Sequence, residues 1–323
     1  PGTTPEWERT SSVSPGNDLV YITRLKASPH TVGALLAFDK SELELYRTVG
    51  SLGEPFPWES VLRLDDETDD LYGLAYDPFD ANRAYATTRL GGFWRSTDAG
   101  ASWAPSNAGL PGGAVLRGLA ADQSTAGQLY AGQTGTPGRL HHSTDGGDSW
   151  APLNDDLTFS TIHAFARHPL DPDVAYAGVW GGGTWKTEDG GALWELLPEA
   201  PASAAALAVD PHDPGTVYAA DRTQPTLWQS SDGGESWWRR FDAGIEYSRL
   251  QALAVDPHEP DTVYVSAFSA GGYGLEGSLF RVSGPGYADV THGLPRVVIS
   301  LFALPDQPGV LLASTHVYGL YRS

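Results

Sequence analysis

The chain has 323 residues, with 40 acidic against 20 basic side chains, a formal net charge of −20, no cysteine and no methionine. That charge disfavours bulk attraction to nucleic acid or to an anionic membrane surface, and the missing thiols exclude a disulfide framework, a thiolate metal site and a cysteine nucleophile. No segment approaches the roughly 18 consecutive apolar residues of a transmembrane helix, so no direct membrane insertion is expected, and the lack of an initiating Met points to a mature exported protein, extracellular, at the cell surface or periplasmic.

One pattern then recurs in chain order. Residues 18–64 make a degenerate first unit that keeps Trp58 but spells its turn Ser51-Leu52-Gly53-Glu54-Pro55, and an acidic return from Asp65 to Asp70 follows. The units at 71–108, 116–155, 161–198 and 204–242 each place an Asp five residues before a Trp: Asp98 and Trp103, Asp145 and Trp150, Asp189 and Trp194, Asp232 and Trp237. The four Asp residues lie 47, 44 and 43 positions apart, close to the period of a four-stranded propeller blade. The spacing describes a hairpin fastener, in which the carboxylate accepts backbone N–H groups across a tight turn, Gly supplies a positive φ and the Trp ring covers the turn. The sixth unit, 250–291, carries Ser283-Gly284-Pro285-Gly286 with Tyr287 beyond it. The seventh stops at Leu320-Tyr321-Arg322-Ser323 and is completed by residues 1–12, with Trp7 in the slot of Trp237.

Within a unit the order is a small-residue strand, an Asp-Pro turn, a second strand around a Tyr, a Gly-rich connection and the hairpin. The first strands align as Gly73-Leu74-Ala75, Gly118-Leu119-Ala120, Ala164-Phe165-Ala166, Ala206-Leu207-Ala208, Ala252-Leu253-Ala254 and Leu301-Phe302-Ala303. Alternation of small and large residues suits the crowded innermost position of a blade. The expectation is an all-β chain forming one domain over 1–323, a seven-bladed β-propeller of four-stranded antiparallel blades, closed in the last blade by the N-terminal strand.

The turns, as in Ser143-Thr144-Asp145-Gly146-Gly147-Asp148-Ser149-Trp150, together with Val209-Asp210-Pro211 and Thr216-Val217-Tyr218-Ala219, resemble the Asp-box (BNR) repeat along the whole chain. The repeat is shared by sialidases, xyloglucan-type glucanases, sortilin-like receptors and the Ycf48-like assembly factors, so the resemblance implies a fold more than a function. Ycf48-like factors are single seven-bladed rings of similar length that bind partner proteins and are closest in architecture; xyloglucan-type enzymes build their cleft between two propellers. Tyr21 to Leu25 followed by Gly33 to Phe38 is similar to the Arg-Ile-Pro entry of sialidases, but Lys26 stands where that family has Pro. Neither the second and third arginines of its carboxylate-binding triad nor a Tyr/Glu nucleophile pair can be aligned.

The inner strand runs toward the fastener, so the second-to-third strand connections emerge on the opposite face, at the axial mouth. One residue per blade falls on that rim: Lys40, Arg89, Thr134, Trp180, Arg222, Phe268 and His316, with Arg117, His163 and Gln251 pointing into the same mouth. Basic and aromatic groups gathered on one ring of an acidic protein suit an anionic or sugar-like ligand. The alternative is that Arg89 and Arg222 pair with neighbouring acids such as Asp221 while Trp180 and Phe268 pack against adjacent returns. Trp238 is a second candidate contact on a blade edge, unless Arg239 or Arg240 covers it. The acidic run 65–70 has oxygen enough to attract calcium but lacks the ligand spacing of a known loop, and reads as a solvated return. His141 and His142 are neighbours that face opposite ways on a strand, and Gly181-Gly182-Gly183 precedes no helix, so neither a metal nor a nucleotide cofactor is expected.

These readings favour a non-catalytic extracytoplasmic binding or assembly scaffold engaging a protein partner or a surface glycan. The alternative is a glycoside hydrolase, which needs two carboxyl groups across a cleft; the weak candidates for that chemistry are Glu276 and Tyr273, then Glu246 and Tyr247.

Overall fold

The computed structural model describes residues 7–9, 21–31, 33–49, 58–122, 125–135, 138–153, 162–244, 246–269, 276–294, 297–304, 307–315 and 319–323, the side chains of His163 and Glu276 excepted. Every regular element in them is a β-strand, and the strands form seven four-stranded antiparallel sheets. No helix long and apolar enough to cross a membrane occurs among the described residues.

The innermost strands are Ile22–Ala27, Leu71–Tyr76, Leu116–Ala121, Ile162–Arg167, Ala204–Val209, Arg249–Val255 and Val298–Ala303, and each packs on the inner strands of both neighbouring blades, the seventh against the first. Closure of the ring is completed by the short strand Glu8–Arg9, which pairs with Gly319–Arg322 to become the outer strand of blade 7. Trp7 ahead of it is buried and donates Nε1–H to the Val290 carbonyl at 3.0 Å. The apolar core is a ring of inter-blade sandwiches: Trp7 packs with Leu279, Leu301 and Leu311 of blades 6 and 7, and Trp58 with Leu304, Leu312 and Leu320 across the join of blades 7 and 1.

All seven inner strands carry a register shift near their N-terminal end, at Ile22/Arg24, Leu71/Gly73, Arg117/Leu119, Ile162/Ala164, Ala204/Ala206, Leu250/Leu253 and Val298/Ser300. A bulge lets the strand turn as the sheets converge on the axis. At the other end the expected Asp-Pro turns are capped by their own carboxylates: Asp256 Oδ1 accepts from the amides of His258 and Glu259 at 2.9 and 3.1 Å, and its Oδ2 accepts from the Tyr264 hydroxyl at 3.2 Å. In blade 4 the His168 ring takes the same part, accepting from Leu170 and Asp171 through Nδ1.

The Asp-to-Trp hairpins hold as fasteners, with one component that the Asp and Trp spacing did not reveal. In blade 5 Asp232 Oδ1 accepts from the Ser236 amide at 2.9 Å, and the buried Ser230 hydroxyl donates to Asp232 at 2.7 Å while accepting from the Gly234 amide at 2.8 Å. Ser96, Ser143 and Thr187 repeat that bridge in the other three turns. Trp103, Trp194 and Trp237 close the loop by donating Nε1–H to the Gly three residues earlier. The turn also docks on the preceding blade: Gly147 has φ 82°, and a Cβ there would sit 2.6 Å from the Phe93 ring. Trp150 meets that same ring edge-on at 4.7 Å.

Two outcomes follow from these turns. Ser230→Ala strands the buried Gly234 amide and is expected to lower unfolding free energy by about 1–3 kcal/mol in urea titrations. The Ser236 hydroxyl and amide hold the Asp232 carboxyl down at about 2, and for Asp145 the Ser149 hydroxyl and amide outweigh burial to give the same value, against an ordinary 3.8. A depressed carboxyl stabilises the fold fully above pH 3.8 and loses that contribution as pH falls toward 2. Denaturant titrations over that range should show a shallower acid limb in Asp145→Asn/Asp232→Asn than in the parent.

Candidate axial-mouth site

The first residue beyond the second strand lies at the same height in successive blades, because its amide bonds to the segment entering the inner strand: Lys40 to Tyr21 O at 2.8 Å, Arg89 to Asp70 O at 2.9 Å, Thr134 to Val115 O at 2.8 Å and Arg222 to Ser203 O at 2.8 Å. In blade 6 the Phe268 carbonyl accepts from the Ser248 amide at 2.8 Å. Counting along the repeat therefore brings Lys40, Arg89, Thr134, Trp180, Arg222 and Phe268 to one rim. His316 and Tyr273 lie outside the described residues, as do the side chains of His163 and Glu276.

The rim has two halves with different electrostatics. In blades 1 and 2 the cations are met from within: Lys40 Nζ donates to the Asp69 carbonyl and lies 3.9 Å from Asp70 Oδ1, and Arg89 Nη1 donates to the Thr68 carbonyl at 2.9 Å. The acidic return is thus more than solvated charge. Asp66 accepts from the amide and hydroxyl of Thr68, and buried Asp69 accepts from the amides of Asp70 and Leu90, so these oxygens brace a loop. Among the described residues no three His, Asp or Glu side chains converge as a metal-ligand set.

In blades 3, 5 and 6 one arginine each at the mouth instead lies over an aromatic face. Arg117 Cζ is 4.1 Å from the Tyr72 ring centre, Arg222 Cζ 4.5 Å from that of Trp180 and Arg249 Cζ 4.3 Å from that of Phe268. Arg117 also donates to the Tyr72 hydroxyl at 3.0 Å. Asp221, the acid beside Arg222 in sequence, accepts instead from the amides of Thr223 and Gln224. Nε of Arg222 and of Arg249 is buried without a hydrogen-bond partner among the described residues. Burial, then the like charges of Arg249 and Arg117, draw the Arg222 pKa down. Stacking on an aromatic face fixes the guanidinium plane.

Two further cations were not apparent from the rim count. Arg24 donates through Nε to the Tyr72 carbonyl at 2.8 Å and through Nη1 to the Thr23 carbonyl at 2.7 Å, which ties blade 1 to blade 2. With Arg249, Gln251, Phe268, Tyr21 and Asp70 it lines a cavity of about 280 Å³. Burial raises the Asp70 carboxyl, against the pull of Lys40 and Arg24. Lys26 lies further along the axis. Their signal was present in the sequence alignment of inner strands, since Arg24 and Lys26 stand where Gly73 and Ala75 stand in the next blade.

The remaining candidates sort into structural parts. Tyr247 bonds to the Ser278 hydroxyl at 2.7 Å and packs against Phe280, and Glu246 is exposed. His141 bonds to Gln133 at 2.7 Å while His142 stacks on Tyr130. Trp238 is 40% exposed, and neither neighbouring arginine was found over it: Arg239 lies over Trp228, and Arg240 pairs with Asp261 at 2.8 Å.

The Sortilin-Vps10 family model, described as "Sortilin, neurotensin receptor 3", matches residues 138–271, less than half of the chain. No curated protein matches. Among solved structures the chain is similar to a GH74 enzyme of Niastella koreensis (17% identity, TM-score 0.73, 94% of this chain and 52% of that one) and to an ancestral GH74 enzyme (15%, 0.71, 99% and 46%). It also resembles YCF48 solved with a D1 peptide (15%, 0.67, 99% and 95%). The chain therefore spans about half the length of the GH74 structures and nearly all of the YCF48 chain.

Removing a mouth arginine should cost little stability: Arg222→Ala and Arg249→Ala are expected within about 0.5 kcal/mol of the parent. Arg167, buried 3.1 Å from Asp122 and over the Tyr130 ring, is the contrast. Arg167→Ala removes the buried cation beside that carboxylate and should cost about 3–5 kcal/mol, read by chemical denaturation. Strand topology and the similar solved structures agree that the chain is a seven-bladed β-propeller, with Asp-to-Trp fastener turns in four of its blades.

Proposed function

We propose that this propeller is a non-catalytic binding or assembly module that engages an anionic segment of a protein partner, or an anionic surface glycan, at the axial mouth. The observation that carries this reading is the set of three guanidiniums, Arg117, Arg222 and Arg249, stacked on Tyr72, Trp180 and Phe268 at the mouth of a chain of net charge −20. In such a chain, arginines held face-on to aromatic rings retain edge donors suited to carboxylates. Repulsion among them is relieved when an anion enters. The ring of similar length, solved as a YCF48 complex with a D1 peptide, supports a protein partner ahead of a glycan.

Glycoside hydrolysis is the competing reading, favoured by the GH74 neighbours. It needs two carboxyl groups about 5–10 Å apart, whereas among the described residues the rim cavity is lined by one, Asp70, which faces Lys40. The proposal also places the protein outside the cytoplasm, which cell fractionation tests.

Binding is measured against arrays of acidic peptides and of uronate- and sialate-bearing glycans. Arg222→Ala/Arg249→Ala is expected to weaken a hit by about 100-fold, with a log-linear salt dependence in the parent. Unchanged affinity in the folded double variant would put the site elsewhere. Turnover of sialosides or β-glucans that is abolished by Glu276→Gln would replace the binding module with an enzyme.

A further inference from the structure

The chain contains three lysines, Lys26, Lys40 and Lys186. Lys40 lies on the acidic return, and Lys186 Nζ is 2.5 Å from Glu188. Lys26 makes no hydrogen bond and no ion pair among the described residues. It sits on the inner strand of blade 1, in a column occupied elsewhere by Ala75, Ala120, Ala166, Ala208, Ala254 and, since the strand pairing of blade 7 runs one residue out of step with the sequence alignment, Phe302 in place of Ala303. One blade in seven thus carries a long amine where the others present a small or apolar group to the axis.

Lys26 lines two cavities on the axis, of about 250 and 370 Å³. The ionisable groups on the larger one besides Lys26 are Tyr76 and Arg167, the latter already paired with Asp122. Arg24 lines the smaller cavity with Lys26. The two residues are separated by Leu25 in regular pairing, Arg24 opposite Phe38 and Lys26 opposite Leu36, so they share one face of the strand roughly 7 Å apart at Cα. Leu25 between them is buried. Arg24 uses Nε and Nη1 on backbone carbonyls, which leaves its Nη2 edge available.

We propose that Lys26 is a covalent capture site for small oxo acids, its amine condensing with the carbonyl and Arg24 holding the anionic group. The neutral amine adds to the carbonyl carbon, the C=O electron pair moves to oxygen, and the ammonium proton is passed to that oxygen. Loss of water then forms the imine, with no oxidant or reductant consumed. The Lys26 side chain is open to the channel, where loss of hydration against the surrounding strands, and then the charge of Arg24, lower its pKa. This site lies within the axis and does not depend on what occupies the rim.

Reductive labelling of the full chain with cyanoborohydride and either glyoxylate or the uncharged glycolaldehyde tests it, with peptide mass spectrometry comparing the three lysines. Glyoxylate should label Lys26 about tenfold faster than Lys40 or Lys186, and the preference for glyoxylate over glycolaldehyde should be greater at Lys26 than at either of them. Arg24→Gln should abolish that excess preference while Lys26 stays labelled. In the parent, added sulfate should slow glyoxylate but not glycolaldehyde, a readout that survives if the variant does not fold. Labelling of Lys26 no faster than the ion-paired lysines, or a preference insensitive to both Arg24→Gln and sulfate, overturns the proposal.

Discussion

Around the axis the inner strands stand so close that a methyl group at Gly73 would lie 2.5 Å from both Leu119 Cβ of the next blade and Thr87 Oγ1 of its own. The sheets converge where one column of most inner strands stays small, and the bulge at the same place in every blade lets the strand turn without breaking its ladder. The packing of large residues between blades follows from that crowding. Large residues such as Leu74, Leu119 and Phe165 alternate with the small column.

The same crowding defines the chemistry of the axis. Arg24 and Lys26 break the small column in blade 1 and place charge in a channel whose other walls, Tyr72 and Ser300 among them, are uncharged. At the rim, where the sheets have splayed, there is room for Arg117, Arg222 and Arg249, each supported by an aromatic ring contributed by a neighbouring or the same blade. Arg167 shows the other use of the residue: it is buried on a ring as well, but with Asp122 as partner. What separates a structural arginine from an available one in this protein is the carboxylate, and not the aromatic stack.

Much of this was legible in the repeat. The Asp-to-Trp spacing identified the hairpins, the alternation identified the inner strands, and the truncated last unit called for Trp7 and the N-terminal strand; all are local or periodic properties. The rim positions could be counted for the same reason. The contacts made by these residues could not. Asp221 is next to Arg222 in sequence yet caps its own turn, while Trp180, more than forty positions earlier, lies beneath the guanidinium. The Ser230 bridge also escaped the count, because its role depends on a hydroxyl reaching two partners at once in a folded turn.

Sequence by itself determined the blade count, the order of strands and the closure of the ring, because hydrophobic period and turn chemistry act over a few residues and repeat. Only the tertiary structure decided which charges remain available. Lys40 and Arg89 are met by the loop between blades 1 and 2, whereas Arg222 and Arg249 face the mouth over aromatic rings. That division depends on distances between blades far apart in the chain, and electrostatic and stacking energies are set by those distances.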